Sequence, residues 1–296
     1  MNGKTQLGDF LQARRSQLRP ADVGVRTYGE RRRVPGLRRE ELALLAGVSA
    51  SYYTRLEQGQ SLSASAEVLD AIAGALRLDE DERGHLHDLS AACRHGVGTT
   101  TRRPPPERLA PATRDLVRAL GNVPVVVTGR RSDVLAWNTL GHALLAGHVD
   151  PTSPDRPADR PNMARLVFLD AHLRELYVDW PAKARAVVGN LRLVAGRHPE
   201  DARLAALVGE LSTRSREFAT LWADHRVRAC DVADYDLRHP LVGELTVTQQ
   251  TLTGASAPET AVVLSTVALG SPSENALRLL AQATAAADDV RILQPV

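Results

Sequence analysis

Leu37-Arg38-Arg39-Glu40-Glu41-Leu42-Ala43-Leu44-Leu45-Ala46-Gly47-Val48-Ser49-Ala50-Ser51-Tyr52-Tyr53-Thr54-Arg55-Leu56-Glu57-Gln58-Gly59 is the stretch on which the fold turns. Leu42, Leu45 and Ala46 fall on one side of a helix over 38–46. Gly47 stops that helix as a residue at positive φ does, and Ser49 is placed to cap a second helix through Leu56 to Gly59. Two short helices hold a fixed angle only if small residues let them approach, which Ala43 and Ala46 do, while Val48, Tyr53 and Leu56 supply the buried contacts. The polar N-terminal face of the second helix is then left to project outward, a shape that enters a DNA major groove.

Outward from this hairpin the pattern stays helical. Leu7, Phe10, Leu11 and Leu18 mark a helix ended by Pro20, and further helices are expected over Ser65–Leu76 and Asp79–Cys93. Five short helices within residues 1–95 make an all-α domain. Residues 96–106 form a linker containing Thr99-Thr-Thr-Arg-Arg-Pro-Pro-Pro106, whose prolines cannot continue a helix. Residues 107–296 mix strands and helices. Val123–Thr128 and Asp133–Asn138 read as a hairpin, and apolar stripes over 184–191 and 204–222 read as helices. Leu241, Leu245 and Val247 alternate with polar residues, Thr260–Leu269 is a second late strand, and Asn275–Ala287 is a closing helix. A strand pair, helices, a strand pair and a helix make an α+β domain with an antiparallel sheet, so the chain is multidomain.

With 43% hydrophobic and 24% charged residues among 296, the chain has apolar surface enough for two cores and is not disordered as a whole. Its net charge of +2 averages unlike halves: 16 basic against 13 acidic residues up to Arg103, then 21 against 22. Nine arginines (14, 15, 19, 26, 31, 32, 33, 38, 39) crowd Leu11–Arg39 against Asp22 and Glu30 alone. Only Lys4 and Lys183 are lysines. Arg31–Arg33 read either as a solvated charge cluster or as phosphate and minor-groove contacts. Cys93 and Cys230 are too far apart in sequence to suggest a disulfide framework, and no signal peptide or spanning segment is evident, so a cytoplasmic protein without membrane contact is expected.

Leu37–Gly59 resembles the helix-turn-helix of the XRE/Cro repressor superfamily, which implies a five-helix, lambda-repressor-like domain. By position in that motif, Ser49, Ala50, Ser51, Thr54 and Arg55 would face bases or nearby phosphates. Tyr52 would lie beside them, and Arg38, Arg39 and Gln58, with Arg32 and Arg33 of the basic run, would hold the backbone. Arg55 has the fork that matches the O6/N7 edge of guanine. Leu7–Arg15 and Arg31–Glu41 further resemble the start of MmyB-like regulators. Arg160–Asp170, Glu175–Trp180, Gly209–Ser212, Leu221–His225 and His239–Leu245 resemble their C-terminal domain. The resemblance implies a PAS-like sensor domain with a pocket for a fatty-acid-like ligand and no other cofactor. Leu237, where an aromatic is expected, and the polar Gln249-Gln250 depart from that pattern.

Trp137, Phe168, Tyr177 and Trp222 either fill a core or line an apolar pocket, and His225, with His239, is a structural or a ligand-contacting histidine. His85, His87, Cys93 and His95 lack metal spacing and read as exposed helix-end residues, so no metal is expected. No P-loop, dinucleotide fingerprint or nucleophile elbow appears, so no enzyme is expected. The reading is a DNA-binding regulator, homodimeric because one helix-turn-helix covers only a half-site. Its second domain either senses a small apolar ligand or serves only to dimerise or to recruit a protein such as RNA polymerase. A DNA-tethered enzyme is the weakest alternative. The preference for Arg and Ala over Lys suggests a high-GC actinobacterial source.

Overall fold

The computed structural model describes residues 3–25, 35–60, 64–95, 107–227, 231–254 and 257–292. In chain order the helices begin with α1 (Gly3–Gln17), α2 (Arg39–Leu45), α3 (Ala50–Glu57), α4 (Ala66–Ala75), α5 (Glu80–His95) and α6 (Pro111–Ala119). Strands β1 (Val125–Thr128) and β2 (Val134–Trp137) precede α7 (Thr139–Ala146), α8 (Met163–Leu169), α9 (Ala171–Leu176), α10 (Trp180–Arg197), α11 (Ala202–Arg214) and α12 (Arg216–Ala223). Then come β3 (Val232–His239), β4 (Gly243–Gly254), β5 (Ala257–Thr266) and α13 (Pro272–Ile292). The chain divides into two compact units, Met1–Pro104 with Arg192–Ala229, and Pro105–Leu191 with Cys230–Val296.

Arg192–Ala229, which lies inside the expected 107–296 stretch, groups with the first unit. The stripe Leu204, Leu207, Val208, Leu211 is buried as its spacing requires, but within the first unit. Periodicity tells which face of a helix is buried and is silent about the partner that buries it.

In the first unit the five expected helices α1 to α5 are present. Phe10, Leu11, Leu42, Tyr53, Leu56, Ile72 and Leu86 form its core. Ser49 and Ser65 cap α3 and α4 by accepting from the backbone N–H of Tyr52 and Val68 at 3.2 and 3.3 Å. Gly47 takes φ +66° at the turn between α2 and α3, as the sequence requires. Gly8 lets α1 approach the end of α3, because a Cβ there would sit 2.2 Å from the carbonyl oxygen of Glu57. One expectation fails: Leu45, placed on the apolar side of α2, is 40% exposed, and only Leu42, Ala43 and Ala46 are buried.

The second unit is built on a five-stranded antiparallel sheet of order β2-β1-β5-β4-β3. Its strand register sorts the residues by face. Val126 pairs with Val263, which pairs with Thr251, and Gln249 pairs with both Ala233 and Ser265, so these share one face. Val125, Val127, Val262 and Leu264 lie on the other, packed with Val117 of α6. Asn138 ties the first strands together, accepting from Val125 and Gly141 N–H and donating to the carbonyls of Leu120 and Val123, all within 3.0 Å. β3 is a strand that the sequence reading omits. Tyr235, Leu237 and His239 are its inward residues, while Asp234, Asp236 and Arg238 give the segment a polar appearance.

Candidate functional site

In the first unit, α3 carries the expected groove-facing residues. Ala50, Ser51, Arg55 and Gln58 are exposed, Tyr52 and Thr54 are half-buried, and Ser49 doubles as the helix cap with its hydroxyl 3.3 Å from that of Ser51. Arg55 makes no side-chain hydrogen bond or ion pair with any described residue, so its guanidinium is available to an outside partner. Arg38 is half-buried at the start of α2, where its backbone N–H donates to Glu41 Oε2 at 2.7 Å. Arg32 and Arg33 lie outside the described residues.

Arg39 is less available than its position in the motif suggests, because it is bound to Glu57. The Glu57 carboxylate accepts from Arg15 Nε and Nη2 at 2.9 and 2.8 Å and from Arg39 Nε at 3.0 Å, and Arg39 Nη2 forms an ion pair with it at 2.9 Å. Arg15 also donates to the Leu37 carbonyl at 2.7 Å. Burial by itself would raise the Glu57 carboxyl, whose side chain is 1% exposed, but the hydrogen bonds and charges of Arg15 and then Arg39 outweigh it and hold the group below its ordinary value. Burial and the neighbouring Glu57 charge push the Tyr53 phenol well above its ordinary value. Glu57 therefore fixes α3 to α1 and α2, a role that sequence reading passed over. The signal was an acidic residue at the C-terminal end of a helix, where the macrodipole disfavours it unless a cation is supplied.

The expected ligand residues are divided between the two units. Trp222 and His225 belong to the first unit, where Trp222 stacks on Phe218 and Arg192 lies over its ring at 4.3 Å. Arg192 also bonds His225 Nδ1 at 3.0 Å and the Trp222 carbonyl. Burial, then the Arg192 charge, lowers His225 to about 4. His85 was expected to be exposed and is instead 3% exposed, edge-on to Phe10. Burial, then Arg192 and His225, lowers it to about 3. Cys93 is also buried, and His87 pairs with Asp70 at 2.9 Å.

In the second unit, Trp137 donates its indole N–H to Pro151, and Phe168 packs edge-on against Trp180, so both are held in the fold by neighbouring structure. Tyr177 is buried against Tyr235. His239 is a satisfied structural histidine: Nε2 donates to the Ala143 carbonyl at 3.1 Å while Nδ1 accepts from Leu241 N–H at 3.2 Å.

A pocket of this unit is lined by none of the five expected ligand residues. It is a half-open pocket of about 100 Å³ between the face of the sheet bearing Val126, Val263, Thr251 and Gln249 and the helices α7, α8 and α10, which contribute Leu145, Met163 and Val187 to its lining. Of the two readings of the large aromatics, core or pocket wall, the packing of Trp137, Phe168 and Tyr177 agrees with the first, and the pocket is lined by Tyr235 and smaller side chains. Gln249, noted as a polar departure, proves to be a lining residue. It is 5% exposed, accepts from Lys183 Nζ at 2.7 Å, and donates to Tyr177 Oη and Ser265 Oγ at 3.3 and 3.4 Å. Among the described residues no group of His, Cys, Asp or Glu could hold a metal ion, and no helix is long and apolar enough to cross a membrane.

An exposed α3 on a helix-turn-helix, joined in one chain to an α+β unit with a pocket against its sheet, is the architecture of a DNA-binding transcription regulator. Comparison with known families agrees: residues 6–86 match the Helix-turn-helix domain, and residues 109–280 match the MmyB-like transcription regulator ligand binding domain. The chain belongs to the MmyB-like transcription regulator family. No curated protein matches it by sequence.

Proposed function

We propose that α3 reads base edges in a major groove and that a small molecule in the cavity of the second unit sets how well it does so. Arg55 carries the first half. It projects from α3 without a side-chain partner among the described residues, while Arg15 and Arg39 are committed to Glu57. In this reading Arg55 contacts a guanine, Ser51 and Thr54 contact bases or phosphates beside it, and Arg32, Arg33, Arg38 and Gln58 position the backbone. Arg39 keeps only its exposed side for phosphate. Two copies acting on half-sites one helical turn apart supply the affinity that a single α3 lacks. The ligand is fatty-acid-like in kind, an apolar body with a polar head, and it regulates only if it binds two arrangements of the protein unequally.

The test is a binding series on DNA selected by the protein itself. Arg55→Ala should cost about 1–3 kcal/mol at one base position and relax preference there. An equal loss on selected and random DNA would remove Arg55 from base recognition.

A further inference from the structure

We propose that Arg192–Val227 is a strap on the first unit, docked while His225 is neutral and released when His225 takes up a proton. The device needs no ligand, so it stands apart from the reading of the second unit as a sensor.

The strap is the end of α10 with α11, α12 and the residues up to Val227, and it packs within the first unit. Val227 joins the core of Leu7, Phe10 and Leu86. Gln17 Nε2 donates to the carbonyl and Oδ1 of Asp224 at 2.8 and 2.9 Å, and Arg197 Nε donates to Asp88 at 2.9 Å. Between these contacts Arg192, 5% exposed, lies over the Trp222 ring, donates to the Trp222 carbonyl and reaches His225 Nδ1 at 3.0 Å. Burial lowers Arg192 only to about 10, so it stays charged at neutral pH. A guanidinium can only donate, so Nδ1 must accept. An imidazole that accepts at Nδ1 carries its one proton on Nε2 and no charge.

A proton on Nδ1 turns this bond into two donors and two cations facing each other. Asp224 is the acidic group that offsets Arg192 and His225, and it already holds Gln17 and pairs with Arg226 at 3.2 Å. The other groups facing the node add positive charge or can acquire it. They are Arg197 and the buried His85 of α5, whose Nδ1 has no partner and whose ring lies so close to Gly196 that a Cβ there would sit 2.5 Å from Cε1. His225 also holds φ +52°, a strained conformation for a residue with a side chain, so the turn relaxes when the bond is lost. A solvated histidine titrates near about 6.5, whereas burial and then Arg192 lower His225 to about 4. Docking is therefore complete above about pH 6.5 and weakens as pH falls toward 4, with His85 acting in the same direction.

Hydrogen exchange of the full chain at about pH 7.5 and about pH 5, corrected for the intrinsic rate, tests this. His225 alone predicts a roughly 30-fold fall in protection of the α11 and α12 amides, and they should lose at least tenfold more than the α2–α4 amides. His225→Asn keeps an acceptor for Arg192, tolerates positive φ and does not titrate, so it should remove at least tenfold of that fall. The comparison between helices uses the unaltered protein and so decides even if the variant fails to fold. The proposal is overturned if α11 and α12 keep their protection at the lower pH, or if they lose it only in step with α2–α4. It is equally overturned if a folded His225→Asn protein loses as much protection as the unaltered one.

Discussion

Replacing Glu57 by Gln removes the anion that joins α1, α2 and α3 and leaves its two arginines in place. Stranding one partner of a buried pair costs about 3–5 kcal/mol. Arg39 is 41% exposed and turns to water at little cost, whereas Arg15, at 11%, stays among groups that no longer balance it. The expected loss is then about 2–3 kcal/mol. Hydrogen exchange of the α1–α5 amides reads it as a drop in protection of roughly 30- to 150-fold at neutral pH. The loss also has a pH signature. The folded Glu57 carboxyl lies below its unfolded value, so its contribution is complete above about pH 4.3 and fades as pH falls through the folded value. The two proteins should converge in strong acid. A Glu57→Gln protein with unchanged protection at neutral pH, or with a deficit that persists undiminished in acid, would refute this account of the node.

His85 gives a second pH test in the opposite part of the range. Held neutral near 3 in the fold, it favours the unfolded chain as pH drops below about 6.5, by about 2 kcal/mol at pH 5, and His85→Leu should flatten the loss of stability measured by urea titration between those values. Gly47→Ala meets no neighbour within 4 Å and should still cost about 1–2 kcal/mol, because the strain lies in the backbone at φ +66°. Asn138→Ala leaves the Val125 and Gly141 N–H groups and two carbonyls short of a partner, and should lower the melting of the second unit by about 2–3 kcal/mol in calorimetry.

The first unit was legible in the sequence because its determinants are local. Gly47, Ser49 and the spacing of Leu42, Ala46, Tyr53 and Leu56 fix the hairpin within one stretch, and the exposed face of α3 follows from the same periodicity. What escaped was set by partners distant in sequence. Glu57 meets Arg15 from 42 residues away, and His85 is buried against Phe10 although its own helix reads as polar around it. In the second unit, β3 was hidden because Asp234, Asp236 and Arg238 occupy its other face. The role of the large aromatics stayed open between two readings because an aromatic signals burial without saying whether it walls a pocket or fills a core. Gln249 was visible as an anomaly, and only the register that sets it against Ser265 and the reach of Lys183 from α10 give it a use.

The central claim, that this chain reads a specific DNA sequence through α3, is most directly tested by selecting binding sites from random duplex DNA and measuring the ratio of selected to random affinity at fixed salt. The account predicts a defined half-site repeated about one helical turn apart, bound at least about 10³-fold more tightly than random DNA, with Arg55→Ala erasing the preference at one position of each half-site. Binding that enriches no sequence and weakens with salt alike on every duplex would contradict it.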